Sequence, residues 1–412
     1  MHLHGYCMSL DDLAPDLAQR DRLWRAFLLL GACLMAAAAL YRIPVELSRL
    51  AAEPLGSGAA TDLIKRFREV HPWFDGRPVY GVIESADYPP ASYILMFPLV
   101  HWATFEVARL VWMASTVAAL LWLSVIMLRE TRASTPIERA FVVLVPLASY
   151  AAAANIRIGQ MGIHLIPMLL AGLLVLARQE RSWKRDVLAA VLLVAALVKP
   201  TFSVPFFWVA FFRGGFRFSA LAVGAYVALT LWGAAYQQDS LVALIQGWLG
   251  QSGNVEANTA HANLFSWLAA AGLQDWYLPG SLLVLVAAGV WTWWYRKADV
   301  WLLIAVASLV ARFWSYHRWY DDILVLPAMI ALYRMIAAEE REGRRDLVAM
   351  GFFVMLWGFS VSPAQLMEMP DPWGSLFKGT KTITWVLLLI ELLRRTHRRT
   401  FAVVQQRQLE AA

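Results

Sequence analysis

Long apolar runs alternate with short charged clusters along the whole chain. The runs fall near 23–40, 106–128, 138–154, 161–177, 187–198, 201–212, 218–236, 278–295, 299–314, 321–337, 346–362 and 381–394, with a shorter apolar piece at 90–103. A helix crossing about 30 Å of hydrocarbon needs roughly 20 apolar residues. Helices satisfy every backbone group internally, which lipid cannot do for them. The expected fold is therefore all-α, a polytopic transmembrane helix bundle of about 12 spans forming a single integral membrane domain over 1–412. Two runs are short, and 187–198 meets 201–212 at Val198-Lys199-Pro200-Thr201. Each would make about 18 Å of helix at 1.5 Å per residue, so a hairpin entering here stops short and leaves a notch toward the outer leaflet. Broken helices of this kind are tolerated where they line a cavity.

Composition agrees with a membrane protein. Of the 412 residues 59% are hydrophobic and 16% charged, 20 are Trp, and the mean hydropathy is +0.52, outside the range of soluble domains. The net charge of +6 would suit nucleic acid, but its placement points elsewhere. Roughly two thirds of the 36 lysines and arginines sit on alternate connections, the side that faces the cytoplasm. Both termini are thereby expected in the cytoplasm, and 41–90, 155–160, 237–277, 314–320 and 363–380 outside. The loop 237–277 carries no Lys or Arg. This parity requires 90–103 to enter from outside and turn back. The two cysteines, Cys7 and Cys33, make no disulfide framework, and no Cys/His spacing resembles a zinc site. The polar N-terminal stretch is unlike a cleaved signal peptide, so the first span is expected to stay as an anchor.

The two large outer loops, about 41–90 and 237–277, exceed what a connector needs, and functional residues concentrate on such loops. Polar groups at the outer ends of spans are costly and tend to face a cavity. They are Asp62, Tyr88, Arg157, Gln160, Lys199, Asn263, Arg312, His317, Arg318, Asp321 and Asp322. Each has a plainer reading. Asp62 follows Gly58-Ala59-Ala60-Thr61 and suits a helix N-cap; as an ionised carboxylate it would instead deprotonate a hydroxyl. Lys199 reads either as a lysine extending its amine to water or as a partner for a phosphate at the floor of the notch. Arg312, His317 and Arg318 suit an interface whose aromatic belt is Tyr316, Trp319 and Tyr320, yet the density of polar groups there argues for a site, with Asp321 and Asp322 pairing with its cations. No Walker loop or dinucleotide-binding turn is present, so a donor substrate would arrive through the lipid phase.

Taken in order, these stretches resemble the GT-C-type membrane glycosyltransferases, specifically the polyprenyl-phosphate-sugar-dependent transferases of glycosyltransferase family 87. The resemblance rests on Asp62 in the first outer loop, Trp73-x-x-Gly76-x-Pro78-x-Tyr80, Tyr88-Pro89-Pro90, Gly159-Gln160, Lys199-Pro200, His261-Ala262-Asn263 and Tyr316-His317-Arg318 leading to Pro327. It implies a GT-C-like fold in the bacterial cytoplasmic (inner) membrane with the active site facing the periplasm. It implies inverting transfer of a sugar, mannose foremost, from polyprenyl phosphate to a hydroxyl of a lipid or glycan acceptor. The partners are then membrane lipids, donor and acceptor, with no nucleic acid, no cofactor and no metal. By resemblance Asp62 is the base and His317 a second active-site residue near the donor phosphate, with Tyr88, Arg157, Gln160, Lys199, Asn263, Arg312 and Arg318 binding substrate. The commoner family pattern has two adjacent histidines; here Arg318 takes the second place.

Interrupted spans and an interior lysine also suit a transporter or flippase, but the two halves of the chain show no internal repeat. A structural subunit of an envelope complex would not need the convergent polar set. The charge asymmetry predicts that a cysteine placed at Gly253, with Cys7 and Cys33 replaced, reacts with an impermeant thiol reagent in intact cells, while one at Gly343 does not; labelling at Gly343 would reverse the orientation.

Overall fold

The computed structural model describes residues 10–52, 58–178, 180–253, 263–340 and 346–411. His261 lies outside them. Within them the chain is helical throughout, with no strand, and holds 16 α-helices. In chain order these are α1 (Leu10–Ala52), α2 (Thr61–Phe74), α3 (Pro90–Val100), α4 (Phe105–Thr131), α5 (Pro136–Ala148), α6 (Tyr150–Ile158), α7 (Gly162–Ala177) and α8 (Trp183–Ala196), followed by α9 (Pro200–Ala234), α10 (Leu241–Gly253), α11 (Leu264–Ala270), α12 (Tyr277–Trp294), α13 (Val300–Phe313), α14 (Leu326–Glu340), α15 (Leu347–Val361) and α16 (Trp373–Ala411).

Helices occupy the apolar runs, but the count of twelve spans is not fixed by them. Among the described residues four stretches are long and apolar enough to cross a membrane: Arg22–Ala52, Phe105–Thr131, Pro200–Ala234 and Gln274–Trp294. The pair α5 and α6, bent by 40°, makes a fifth if taken as one span. The runs 201–212 and 218–236 join in α9, which breaks at Gly215 where φ is 76°. The run 138–154 is divided at Ser149, whose extended backbone ends α5 while its hydroxyl accepts from Ala152 N at 3.1 Å to start α6. Segment 90–103 forms only the 11-residue α3.

The connection expected over 41–90 is shorter than that and partly folded. Residues 41–52 continue α1, because Leu50 is buried and Ile43 and Leu47 pack on the core between the polar positions. On the same stretch Arg42 donates to Ala148 O at 3.0 Å and Val361 O at 3.3 Å, the last carbonyls of α5 and α15. A cation there satisfies carbonyls that a helix end leaves open and opposes its dipole. Further along the loop, α2 buries Leu63, Arg66, Val70 and Trp73 at helical spacing. Its Trp73 donates to Gly233 O at 3.0 Å, and Tyr93 stacks on the ring at 4.3 Å. The turn 75–89 is clasped by α10, where Trp248 donates to Asp87 O and Gln251 Nε2 to Ile83 O.

The seat of α2 is a close approach at Gly159, which ends α6 at φ 70°. A Cβ there would lie 2.6 Å from Leu63 Cβ, while Ala60 N donates to Arg157 O at 2.8 Å beside it. Gly159→Ala meets both a left-handed backbone and an overlap, so it is expected to destabilise by about 1–3 kcal/mol, read as a lower melting temperature in detergent, with α2 rather than the bundle loosened.

Candidate active site

Residues from several of the loops expected outside contact one another: Gln160 donates to Asp62, and Asn263 donates to His317 O. At their centre lies a 3-10 turn, Trp319–Val325, joining α13 to α14. It carries the adjacent carboxylates Asp321 and Asp322, both buried. A 3-10 helix turns 120° per residue, so the two side chains diverge. Asp321 takes Lys199 Nζ at 2.8 Å from the head of α9 and His317 Nδ1 at 3.1 Å, with Arg318 N donating to it at 3.2 Å. Asp322 takes Arg312 Nε at 2.7 Å from α13 and Lys381 Nζ at 2.7 Å from α16, and accepts from the Tyr150 hydroxyl on α6. Lys381 also reaches Tyr150 Oη at 3.1 Å.

His317 is fully buried, and burial holds its imidazole below the ordinary value; Asp321 pulls the other way, with Lys199 and Arg312 reinforcing burial. With Nδ1 directed at Asp321, its Nε2 has no partner among the described residues. A buried nitrogen left open in this way is unusual in a native structure, and it marks a place where a ligand atom would complete the site. Asn263 fixes the loop from outside: Nδ2 donates to His317 O at 2.9 Å, and Oδ1 caps α11 through Ser266 N at 2.9 Å. Both its functional atoms are engaged, so its part here is to position His317.

Asp62 stands on the other wall. It is not an N-cap: the cap position belongs to Ala60, in a left-handed conformation and without a side-chain bond, and Asp62 is the second residue of α2. Its Oδ2 accepts from Gln160 Nε2 at 2.7 Å, and Lys65 Nζ lies 3.7 Å from Oδ1. The carboxylate stays partly open to solvent. Its field reaches across to the opposite loop. Burial, and then Asp62 as the strongest single charge, pushes the Tyr320 phenol well above its ordinary value. Arg318, exposed and held by the Tyr316 hydroxyl, also feels Asp62. Arg157, half-buried at the end of α6, forms no ion pair among the described residues.

Tyr88 completes that wall. Burial raises its phenol, Arg66 opposing and Asp87 and Asp62 adding, and its ring lies under the Arg66 guanidinium at 4.1 Å. Arg66 is itself clamped by Glu69 at 2.9 Å, Asp87 at 3.1 Å and Ser85 O at 3.0 Å. The site residues named from sequence thus gather in one place, with Asp62, Arg157, Gln160 and Tyr88 on one wall and Lys199, His317, Arg318 and Arg312 on the other. Sequence reasoning did not single out Lys381, Tyr150, Arg66 or Asn155. Lys381 heads the last apolar run, where a lysine reads as interfacial, and nothing in the order of residues ties it to Asp322, 59 positions away.

Among the described residues the fold is an all-helical bundle with several helices apolar enough to cross a membrane, and the activity is given by the family to which the chain belongs. The glycosyltransferase family 87 model matches residues 87–316, more than half of the chain, and the chain belongs to that family, which makes it a glycosyltransferase. The matched stretch holds Tyr88, Arg157, Gln160, Lys199, Asn263 and Arg312, and it ends one residue before His317. No curated protein and no solved structure matches the chain.

The clamp on Tyr88 is open to test. Glu69 has no exposed side-chain surface, and burial pushes its carboxyl up to about 7, Arg66 and the Ser85 hydroxyl opposing. Removing one member of a buried ion pair costs about 3–5 kcal/mol, so Arg66→Met is expected to lower stability by that order near pH 8. An acid whose folded pKa is raised is better tolerated as pH falls through that value. Arg66 is the charge that opposes burial at Glu69, so in Arg66→Met that carboxyl rises further. The loss should grow as pH rises above about 7 and be smallest below it, where Glu69 is protonated with or without Arg66, and melting curves across pH 5–9 read it.

Proposed function

We propose that the protein transfers a sugar, mannose foremost, from a polyprenyl-phosphate donor to a hydroxyl of a lipid or glycan acceptor, with inversion at the anomeric carbon and on the periplasmic side of the bacterial cytoplasmic membrane. The observation that carries this reading is the pairing of a partly open carboxylate, Asp62, with an opposite wall of cations and an unpartnered His317 Nε2.

Polyprenyl phosphate is already a competent leaving group. Catalysis then needs three things: positioning of the reactants, a positive environment for charge developing on the departing phosphate, and removal of the acceptor proton. Asp62 supplies the last. Its Oδ2 is oriented by Gln160, and Oδ1, with the exposed Lys65 amine 3.7 Å away, takes the proton as the hydroxyl attacks the anomeric carbon from the face opposite the phosphate. Lys199 and Arg318 supply charge at the other end of the breaking bond. A phosphate next to His317 would favour the imidazolium, since a nearby opposite charge raises a histidine. Nε2 then donates to the phosphate while Asp321 holds the ring through Nδ1, the arrangement in which an acid orients a histidine. The carbon–oxygen bond to the donor phosphate breaks, that to the acceptor forms, and polyprenyl phosphate departs with the electron pair.

Purified protein incubated with polyprenyl-phosphate sugars, with release of polyprenyl phosphate followed, tests the donor and identifies the sugar. Within that assay Asp62→Asn preserves size and the contact from Gln160 but removes the base. General-base contributions run to about 10²–10⁴-fold, so turnover should fall by that order with stability and donor binding near wild type. Retention of more than about a tenth of wild-type turnover would assign the base elsewhere.

A further inference from the structure

Asp62 and Tyr320 are held by the same short piece of chain. The last turn of α6 ends at Ile158, and Asn155 within it donates from Nδ2 to Tyr320 O at 2.7 Å, as well as to Ala151 O at 2.7 Å. Asn155 O in turn accepts from Gln160 N at 2.9 Å, and Gln160 Nε2 holds Asp62. The spacing between the carboxylate and the aromatic ring is thus set through two residues five apart, on a turn that close packing restricts. A Cβ on Gly162 would lie 2.6 Å from Asn155 Oδ1.

Tyr320 also faces the opposite half of the site. Its ring centroid lies 5.6 Å from Lys199 Nζ, the amine bound to Asp321, and 6.1 Å from the Trp319 ring. The residue is partly exposed, and its hydroxyl is not among the buried polar atoms lacking a partner. It therefore has Lys199 beside its ring and lies within the field of Asp62, to which its backbone is tied through Asn155 and Gln160. Whatever lies between those two groups during transfer is the sugar itself.

From this placement we propose that Tyr320 forms the subsite for the transferred sugar ring, its phenol hydrogen-bonding one ring hydroxyl and its face packing against the ring carbons, and that Asn155 is the positioning residue that sets this subsite against Asp62. The chemistry suits the ligand. A pyranose or furanose presents apolar C–H faces and a rim of hydroxyls, and a tyrosine combines an apolar body with a polar tip. Burial and the Asp62 field keep the phenol protonated, so it acts as a donor. The inference rests on the site assignment above but not on the identity of the leaving group.

The test pairs Tyr320→Phe with donors that each lack one sugar hydroxyl, on purified full-length protein, with polyprenyl-phosphate and nucleotide-linked sugars both in the donor panel. Phe removes one oxygen and leaves the ring and the backbone bond to Asn155 in place. In the wild type, one monodeoxy sugar should lose about tenfold in kcat/KM, the scale of one net hydrogen bond. Tyr320→Phe should lose a similar factor on the full sugar and nothing further on that deoxy sugar, as two changes to a single interaction do not add. A residue that only supports the fold would lower all donors alike. The proposal is overturned if Tyr320→Phe equals wild type on the full sugar, or discriminates among the deoxy sugars as wild type does. Activity confined to nucleotide-linked donors would refute the lipid-phosphate reading while the same comparison still decided the role of Tyr320.

Discussion

Adjacent carboxylates on a 3-10 turn are the constraint on which this end of the molecule depends. Lys199, Arg312 and Lys381 are all buried or nearly so, and a lone charge removed from water costs several kcal/mol. Were Asp321 and Asp322 on an α-helix they would be 100° apart and partly competing. In the 3-10 turn they diverge further, and each serves its own set of partners. Between them they tie α6, α9, α13 and α16 through Tyr150, Lys199, Arg312 and Lys381. Loss of either carboxylate would strand cations, so the geometry of the cation wall and the integrity of the bundle are one property.

The fold was legible in the apolar runs because each run holds a helix, but the count of spans was not. Apolar runs do not distinguish a helix that crosses lipid from one packed inside the bundle. α13 is the clearest case: its 14 residues make about 21 Å at 1.5 Å per residue, short of about 30 Å of hydrocarbon, yet nearly all of them are buried against neighbours. Polar letters misled in the other direction at 41–52, where Arg42, Glu46 and Arg49 suggest a loop although the helix continues on Leu47 and Leu50.

The candidate site was legible as a set and not as a geometry. That Asp321 and Asp322 would pair with nearby cations followed from their density in the stretch 312–322. Which cation each would take did not, because Lys199 and Lys381 lie 122 and 59 residues from their partners. Asp62 could be read as a cap because Gly58-Ala59-Ala60-Thr61 looks like an ordinary helix start. What decided otherwise was a left-handed Ala60 pinned to Arg157 O, a tertiary contact with no trace in local sequence. Gln160 became meaningful for the same reason, its partner lying 98 residues away.

The arrangement also separates scaffold from working groups. Cations committed to Asp321 and Asp322 are largely neutralised in place, whereas Arg318 is exposed and Arg157 and Asp62 are partly so. An uncompensated Lys199 would bind a phosphate tightly before and after the reaction alike. Binding that is equal in ground and transition states lowers KM without raising kcat. With Asp321 at 2.8 Å, Lys199 would offer the proposed donor phosphate a tempered attraction, and the balance would shift toward groups whose interaction changes as the bond breaks. His317 is such a group, since its open Nε2 gains a partner only when negative charge lies beside it. In the proposed reaction, where a lipid-borne phosphate would have to be discharged after every turnover, that response serves better than a fixed excess of positive charge.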